Sequence, residues 1–302
     1  LATVGFVGLG VMGGNIALRL LAAGHTVQGY NRTVAKTAPL AERGMTVAAT
    51  PRAAACGASV VLSMVSDGAA LAAVCGGEDG ILAGLGPSSI YLDLSTVGPA
   101  ASEAARRATD ERGARFLTAP VSGSVATIRS GRLSFMVGGD AEVLDEVRPL
   151  LLEIGSTVTH VGTVEQAAAM KLAVNLSVAM QTIAFSEGVL LAERYGIDPA
   201  AAVDVLLNSV IASPMLSYRG PFLLDPPAEP WFTVALARKD MRIIQEMADE
   251  VSLPLWTAAA TAPVLAAAQS LGYGDQELGT VGRALREMST GRIPMAEPSP
   301  AS

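Results

Sequence analysis

The segment that most constrains this chain is its opening. An apolar run, Thr3-Val4-Gly5-Phe6-Val7, leads straight into Gly8-Leu9-Gly10-Val11-Met12-Gly13. A helical pattern follows at Ile16, Ala17, Leu20 and Leu21, breaks at Ala23-Gly24-His25, and yields to a second apolar run ending in Tyr30-Asn31-Arg32-Thr33. Strand, glycine turn, helix and strand in that order form a βαβ unit with a dinucleotide fingerprint. Gly8 permits the tight turn, Gly10 lets backbone approach a pyrophosphate, and Gly13 lets the helix pack on the strand. The pyrophosphate is expected on the N–H groups of this turn and of the helix N-terminus, with Leu9, Val11 and Met12 between the glycines.

The end of the second strand refines the cofactor. An acid there would hydrogen-bond the ribose 2′-OH of NAD, but this chain has Asn31, then Arg32 and Thr33. Without a carboxylate a 2′-phosphate is not repelled, and the Arg32 guanidinium offers it a bidentate fork. Thr33 adds a hydroxyl donor and Lys36 adds charge. NADPH/NADP is therefore expected over NAD; the alternative is a merely solvated polar strand end.

Length and charge bound the remaining possibilities. With 302 residues the chain can bury a sizeable core and form two domains. A net charge of −7 and the lack of a dense Lys/Arg block argue against a nucleic-acid surface. No apolar run reaches the roughly 20 residues of a membrane span, and the first strand begins at once, so a cytoplasmic protein without a signal peptide is expected. Cys56 and Cys75 are the only cysteines and read as reduced thiols. His25 and His160 complete no metal cluster, so no metal is expected.

To about residue 160, short apolar runs alternate with helical segments. The runs are Thr46-Val47, Ser59–Met64, Ile90–Leu94, Arg115–Ala119, Leu133–Val137 and Val158–Val161. This pattern predicts an α/β fold with a doubly wound sheet, whose ligands lie beyond the carboxyl ends of its strands. The loops after Met64, Leu94 and Ala119 thus attract interest, and Met64 and Val65 are expected at the cofactor. From 164 to 195 there is no Pro and one Gly, enough for a helix of roughly 45 Å at about 1.5 Å per residue. It should stop at Tyr195-Gly196, with Asp198-Pro199 opening the next helix. No clear strand returns. The expected division is a Rossmann domain over 1–162, an interdomain helix over 163–195, an all-α domain over 196–293 and a disordered tail over 294–302.

Four segments can carry chemistry. Ser95 and Thr96 end a strand, where a hydroxyl can bridge nicotinamide and substrate; the same residues read equally as a helix cap. Ser122, Gly123 and Ser124 form a turn whose N–H and hydroxyl groups can hold a carboxylate, unless it is a plain Ser/Gly turn. Lys171 and Asn175 share a helix face one turn apart among apolar neighbours. Burial there would lower the Lys171 pKa towards use as an acid at neutral pH, whereas a snorkelling surface lysine is the bland alternative. Lys239-Asp240, following Phe232 on neighbouring helical turns, reads as a site pair or as a solvated charge pair.

Taken together, Gly8–Gly13, Asp93-Leu94-Ser95-Thr96, Pro120-Val121-Ser122-Gly123, Lys171 with Asn175, and Lys239-Asp240 resemble the β-hydroxyacid dehydrogenase family, of 3-hydroxyisobutyrate dehydrogenase type. The resemblance covers nearly the whole chain. Asn31-Arg32-Thr33, Ser122-Gly123-Ser124, Met170–Asn175, Ala184–Gly188, Ser213-Pro214-Met215 and Lys239–Arg242 look most like its NADPH-dependent glyoxylate/succinic semialdehyde reductase branch. The resemblance implies Lys171 as catalytic general acid/base, with Ser122, Gly123 and Asn175 holding the substrate and Thr96 and Lys239 touching cofactor or substrate. We add Ser124 and Asp240 to the expected substrate residues and Phe232 to those of the cofactor. The resemblance also implies a homodimer or homotetramer acting on a small carboxylate-bearing aldehyde or hydroxyacid.

The family often carries Ser-Gly-Gly and Lys-x-x-Asn-Asn where this chain has Ser124 and Val174, changes that also occur in the reductase branch. Thr118 replaces a frequent Asp. The alternatives are a 3-hydroxyacid dehydrogenase working oxidatively, an imine reductase, which Lys171 speaks against, a phosphogluconate-type decarboxylating enzyme, for which the chain is short, and a non-catalytic NADP-sensing module.

Overall fold

The computed structural model describes residues 1–290, so the expected tail over 294–302 lies outside the described residues. Two compact units emerge, Leu1–Val174 and Asn175–Ser302, and the division falls inside one long helix.

In the first unit the chain runs β1 (Thr3–Val7), α1 (Val11–Ala22), β2 (Thr26–Tyr30), α2 (Ala38–Ala41), β3 (Thr46–Val47), α3 (Pro51–Ala55) and β4 (Val60–Ser63). It continues through α4 (Gly68–Cys75), α5 (Ile81–Gly84), β5 (Ile90–Asp93), α6 (Pro99–Asp110) and β6 (Arg115–Thr118). These six strands are parallel in the order β3-β2-β1-β4-β5-β6, the arrangement of dinucleotide-binding sheets. The chain then adds β7 (Val121–Ser122), α7 (Val125–Arg129), β8 (Leu133–Gly139), α8 (Ala141–Ile154) and β9 (Gly155–Gly162). Strand β8 runs antiparallel to β6 and β7 and parallel to β9.

Alternation along the strands explains why both faces are covered. Val4, Phe6, Val60, Leu62, Leu92 and Leu117 join Ile16, Leu20 and Leu144 in one buried cluster. The intervening Val7, Val61, Tyr91 and Phe116 join Ala54, Leu71 and Ala105 in another. Successive strand side chains point to opposite faces, so each face receives its own helical layer.

Helix α9 (Val164–Arg194) follows, then α10 (Pro199–Leu207), α11 (Pro214–Arg219), α12 (Val234–Glu250), α13 (Trp256–Ala268) and α14 (Val281–Ser289). Asp198 caps α10 by accepting from Ala200 N and Ala201 N, and Thr233 caps α12 through Leu236 N. The second unit is helical, with one isolated bridge between Thr233 and Glu277 among the described residues. By length and composition α9 is apolar enough to cross a membrane, against the expectation that no apolar run is long enough, because its mean hydropathy tolerates the polar residues that break the run. Its buried residues serve as core: Val164 packs in the first unit, and Phe185 and Val189 pack with Val203 and Leu216 in the second.

Candidate active site

The glycine turn sits at the carboxyl end of β1. Gly8 has φ of +97°, and a Cβ there would lie 2.2 Å from the Met64 carbonyl oxygen. A Cβ on Gly13 would lie 2.1 Å from the Gly8 oxygen. Both glycines are therefore required by the protein's own backbone. Gly10 differs: a Cβ there would meet nothing within 4 Å. Its open side is the space a diphosphate needs, and no side chain caps the N-terminus of α1 at Gly10. The fold thus leaves uncapped N–H groups facing open space, which fits a dinucleotide.

Asn31, at the end of β2, is tied into this turn. Its Oδ1 accepts from Leu9 N at 2.9 Å, and its Nδ2 donates to Thr33 O at 2.9 Å. Arg32, Thr33 and Lys36 are exposed beyond it. After β4, Met64 N donates to Val7 O at 2.9 Å and Val65 N to Ser95 Oγ at 2.9 Å, which sets the 64–65 loop beside the glycine turn.

Ser95, at the carboxyl end of β5, presents no open hydroxyl. It is buried, and its hydroxyl donates to Asp93 Oδ1 at 2.6 Å, whereas Thr96 is half-buried. Ser63, Asp93 and Thr118 stand in register across β4, β5 and β6, all shut off from solvent. Ser63 Oγ donates to Asp93 Oδ1 at 2.6 Å and lies 2.8 Å from the Tyr91 hydroxyl, itself 3.2 Å from Cys75 Sγ. Burial raises the Asp93 carboxyl above its ordinary range against the opposing pull of the Ser63 and Ser95 donors. Burial likewise pushes the Cys75 thiol up to about 11. This polar row escaped sequence reading because it joins residues about 30 apart.

In the 122–124 turn, Gly123 has φ of +143° and a Cβ there would lie 2.2 Å from Thr127 Oγ1. That hydroxyl accepts from Ser124 N at 2.7 Å and donates to Ser124 O at 2.8 Å, closing the turn into α7. Gly123 is exposed and Ser122 half-buried, but Ser124 is fully buried. Ser124 accordingly shapes the turn from within.

On α9, Lys171 is half-buried, and Asn175 follows one turn later, about 6 Å along the axis. In the second unit Asn175 Nδ2 donates to Asp240 Oδ2 at 2.6 Å, and Lys239 Nζ lies 2.9 Å from Asp240 Oδ1. Asp240 is 2% exposed and Asn175 is buried, so with half-buried Lys239 they form a partly enclosed triad and not a solvated charge pair. Phe232 is held by a pairing invisible in sequence. Glu277 Oε2 accepts from Trp231 N at 2.7 Å and Phe232 N at 3.0 Å, while Glu277 Oε1 accepts from Arg219 Nη1 at 2.6 Å. The Arg219 guanidinium lies 5.7 Å from the Phe232 ring centroid. No group of three or more potential metal ligands occurs among the described residues.

Two family models match in succession. Residues 3–162 fit the NAD-binding domain of 6-phosphogluconate dehydrogenase, and residues 166–285 the NAD-binding domain of NADP-dependent 3-hydroxyisobutyrate dehydrogenase. Among proteins of known annotation, the chain is 33% identical to the chloroplastic glyoxylate/succinic semialdehyde reductase 2 of Arabidopsis thaliana, over 94% of this chain and 79% of that one. It is 32% identical to reductase 1 of the same plant, over 94% and 98%. A solved 3-hydroxyisobutyrate dehydrogenase from Salmonella typhimurium superposes with a TM-score of 0.87 at 26% identity, covering 93% of this chain and 99% of that one. Fold and site define an NAD(P)-dependent oxidoreductase acting on CH–OH groups. The chain belongs to the β-hydroxyacid dehydrogenase family, of 3-hydroxyisobutyrate dehydrogenase type.

Proposed function

We propose that the protein reduces a small carboxylate-bearing aldehyde of the glyoxylate or succinic semialdehyde type with NADPH, using Lys171 as the general acid. The observation that carries this reading is the α9 face on which Lys171 precedes Asn175 by one turn, with Asn175 anchored to the buried Asp240. The likeness to the two Arabidopsis reductases supports the aldehyde class.

Bound NADPH supplies the hydride chemistry. The glycine turn and the N-terminus of α1 receive its diphosphate, and Arg32 and Thr33 take the 2′-phosphate. Met64, Val65, Thr96, Phe232 and Lys239 complete the cofactor contacts. Lys171 Nζ donates its proton to the carbonyl oxygen as that oxygen becomes an alkoxide; in the oxidative direction the neutral amine takes the hydroxyl proton. Ser122 and the Gly123 backbone hold the substrate carboxylate and Asn175 orients the substrate, so the gain comes from positioning plus acid catalysis. The buried Asp240 fixes the Asn175 amide, and Ser124 supports the turn. The enzyme works in the cytoplasm as a homodimer or homotetramer, a location supported by its two unpaired cysteines.

The fit to the 3-hydroxyisobutyrate dehydrogenase model favours a second reading, oxidation of a 3-hydroxyacid by the same residues. Assays of NADPH oxidation with glyoxylate and succinic semialdehyde, against NADP⁺ reduction with 3-hydroxyisobutyrate, separate the two. Lys171→Ala is expected to lower kcat by at least about 10²-fold with NADPH affinity little changed. Near-normal turnover in that variant refutes the assignment of Lys171.

A further inference from the structure

The buried row behind the cofactor loop has no role in the chemistry above, yet it ends on the backbone that the cofactor must meet. Asp93 is fully buried at the last position of β5, and its Oδ1 gathers donors from Ser63 Oγ, Ser95 Oγ and, at 3.3 Å, Ser95 N. Its Oδ2 has no hydrogen-bond partner among the described residues. A buried carboxyl is costly unless fully satisfied. If its function were to stabilise the sheet, an apolar residue would serve better at this depth.

The arrangement makes sense as a relay. Ser95 has one hydroxyl proton, and Asp93 takes it; the Ser95 oxygen is thereby turned to accept from Val65 N at 2.9 Å. Val65 lies directly after Met64, whose carbonyl oxygen crowds Gly8 in the glycine turn. The rotor of one serine thus sets the path of the 64–66 loop. We propose that Asp93 and Ser95 are positioning residues for the dinucleotide, holding the loop after β4 in its binding conformation through the Val65 amide. The inference rests on the reading that the dinucleotide lies over this end of the sheet. A loop that populates its binding conformation only part of the time weakens apparent affinity by that fraction and leaves the chemical step alone.

Only the acceptor on Oδ1 is needed for this relay, and an amide supplies the same acceptor. Burial favours the uncharged form of Asp93, so Asp93→Asn should be a tolerated replacement, whereas Asp93→Ala should not.

The test is NADPH titration by fluorescence of wild-type, Ser95→Ala, Asp93→Asn and Asp93→Ala proteins, with kcat at saturating NADPH, thermal melts, and hydrogen exchange across 64–67 without cofactor. Ser95→Ala is expected to raise the Kd for NADPH by about fivefold to tenfold, the equivalent of one lost hydrogen bond, with kcat within about twofold of wild type. Exchange at Val65 should quicken, Asp93→Asn should bind as wild type does, and Asp93→Ala should behave as Ser95→Ala. If Ser95→Ala melts lower but keeps its Kd and its Val65 exchange rate, the row is merely structural and the proposal is overturned. A weakened Asp93→Asn overturns the acceptor argument. Should Asp93→Ala fail to fold, Ser95→Ala and the exchange measurement still decide. If the wild type itself does not bind NADPH or NADH, the cofactor-site reading fails, a result distinct from every outcome above.

Discussion

At the residue scale, burial separates two cysteines that composition alone treats alike. Cys56 is exposed, whereas Cys75 is buried beside the Tyr91 hydroxyl with its thiol pushed up to about 11 from 9.0. Ellman's reagent should therefore label one thiol of the native protein at pH 8, with the second appearing only on unfolding. The same burial has a pH consequence. Between about 9 and 11 the unfolded thiol gives up its proton while the folded one keeps it, so raising the pH through that window favours unfolding. A shift of this size corresponds to roughly 2–3 kcal/mol at most. Tyr91, raised well above its ordinary 10.0 chiefly by burial, acts in the same direction. Denaturant midpoints from pH 8 to 11 should fall, and Cys75→Ala should flatten part of the decline.

At the element scale, the Arg219–Glu277 pair joins the end of α11 to the segment between α13 and α14, and Glu277 ties in the loop entering α12. The side chains are 4% and 0% exposed, and Glu277 also satisfies two backbone amides. Removing one partner strands a buried charge, so Glu277→Ala should cost about 3–5 kcal/mol in chemical denaturation. Such pairings mark where sequence reading stops. The glycine turn, the alternation of strands and helices, and the Asp198-Pro199 helix start are local patterns set by backbone sterics and capping, and they are legible directly. So is the face shared by Lys171 and Asn175, because helical periodicity dictates it. Asp240 was legible as a charge but not as the buried anchor of Asn175, since that bond spans 65 residues. The burial of Ser95 was not legible, because its hydroxyl answers to Asp93 and to the Val65 amide, which only packing reveals. Strand β7 is two residues long and stands on its antiparallel pairing with β8, too little for any periodicity to register.

At the scale of the whole molecule, the two units have separate cores, and α9 contributes to each. The residues proposed for chemistry straddle the division, Lys171 before Val174 and Asn175 after it. Their spacing is set by one continuous helix. A dinucleotide that binds only the folded chain stabilises it by mass action, about 2.7 kcal/mol at one hundred times its Kd. Differential scanning should show that increment with NADPH, and Arg32→Ala should lose most of it at the same NADPH concentration. The hydrogen bond from Leu9 N to Asn31 has a further consequence, for how such a protein can be retooled. An aspartate in that place would keep the oxygen that Leu9 needs and present the carboxylate that NAD-binding chains use for the ribose, provided its second oxygen swings away from the Thr33 carbonyl, where the amide now donates. The scaffold of the turn and the choice of reducing currency are therefore expected to be separable traits: Asn31→Asp should shift the ratio of NADPH to NADH affinity towards NADH, the more so with Arg32 also removed, while the glycine turn keeps its fold.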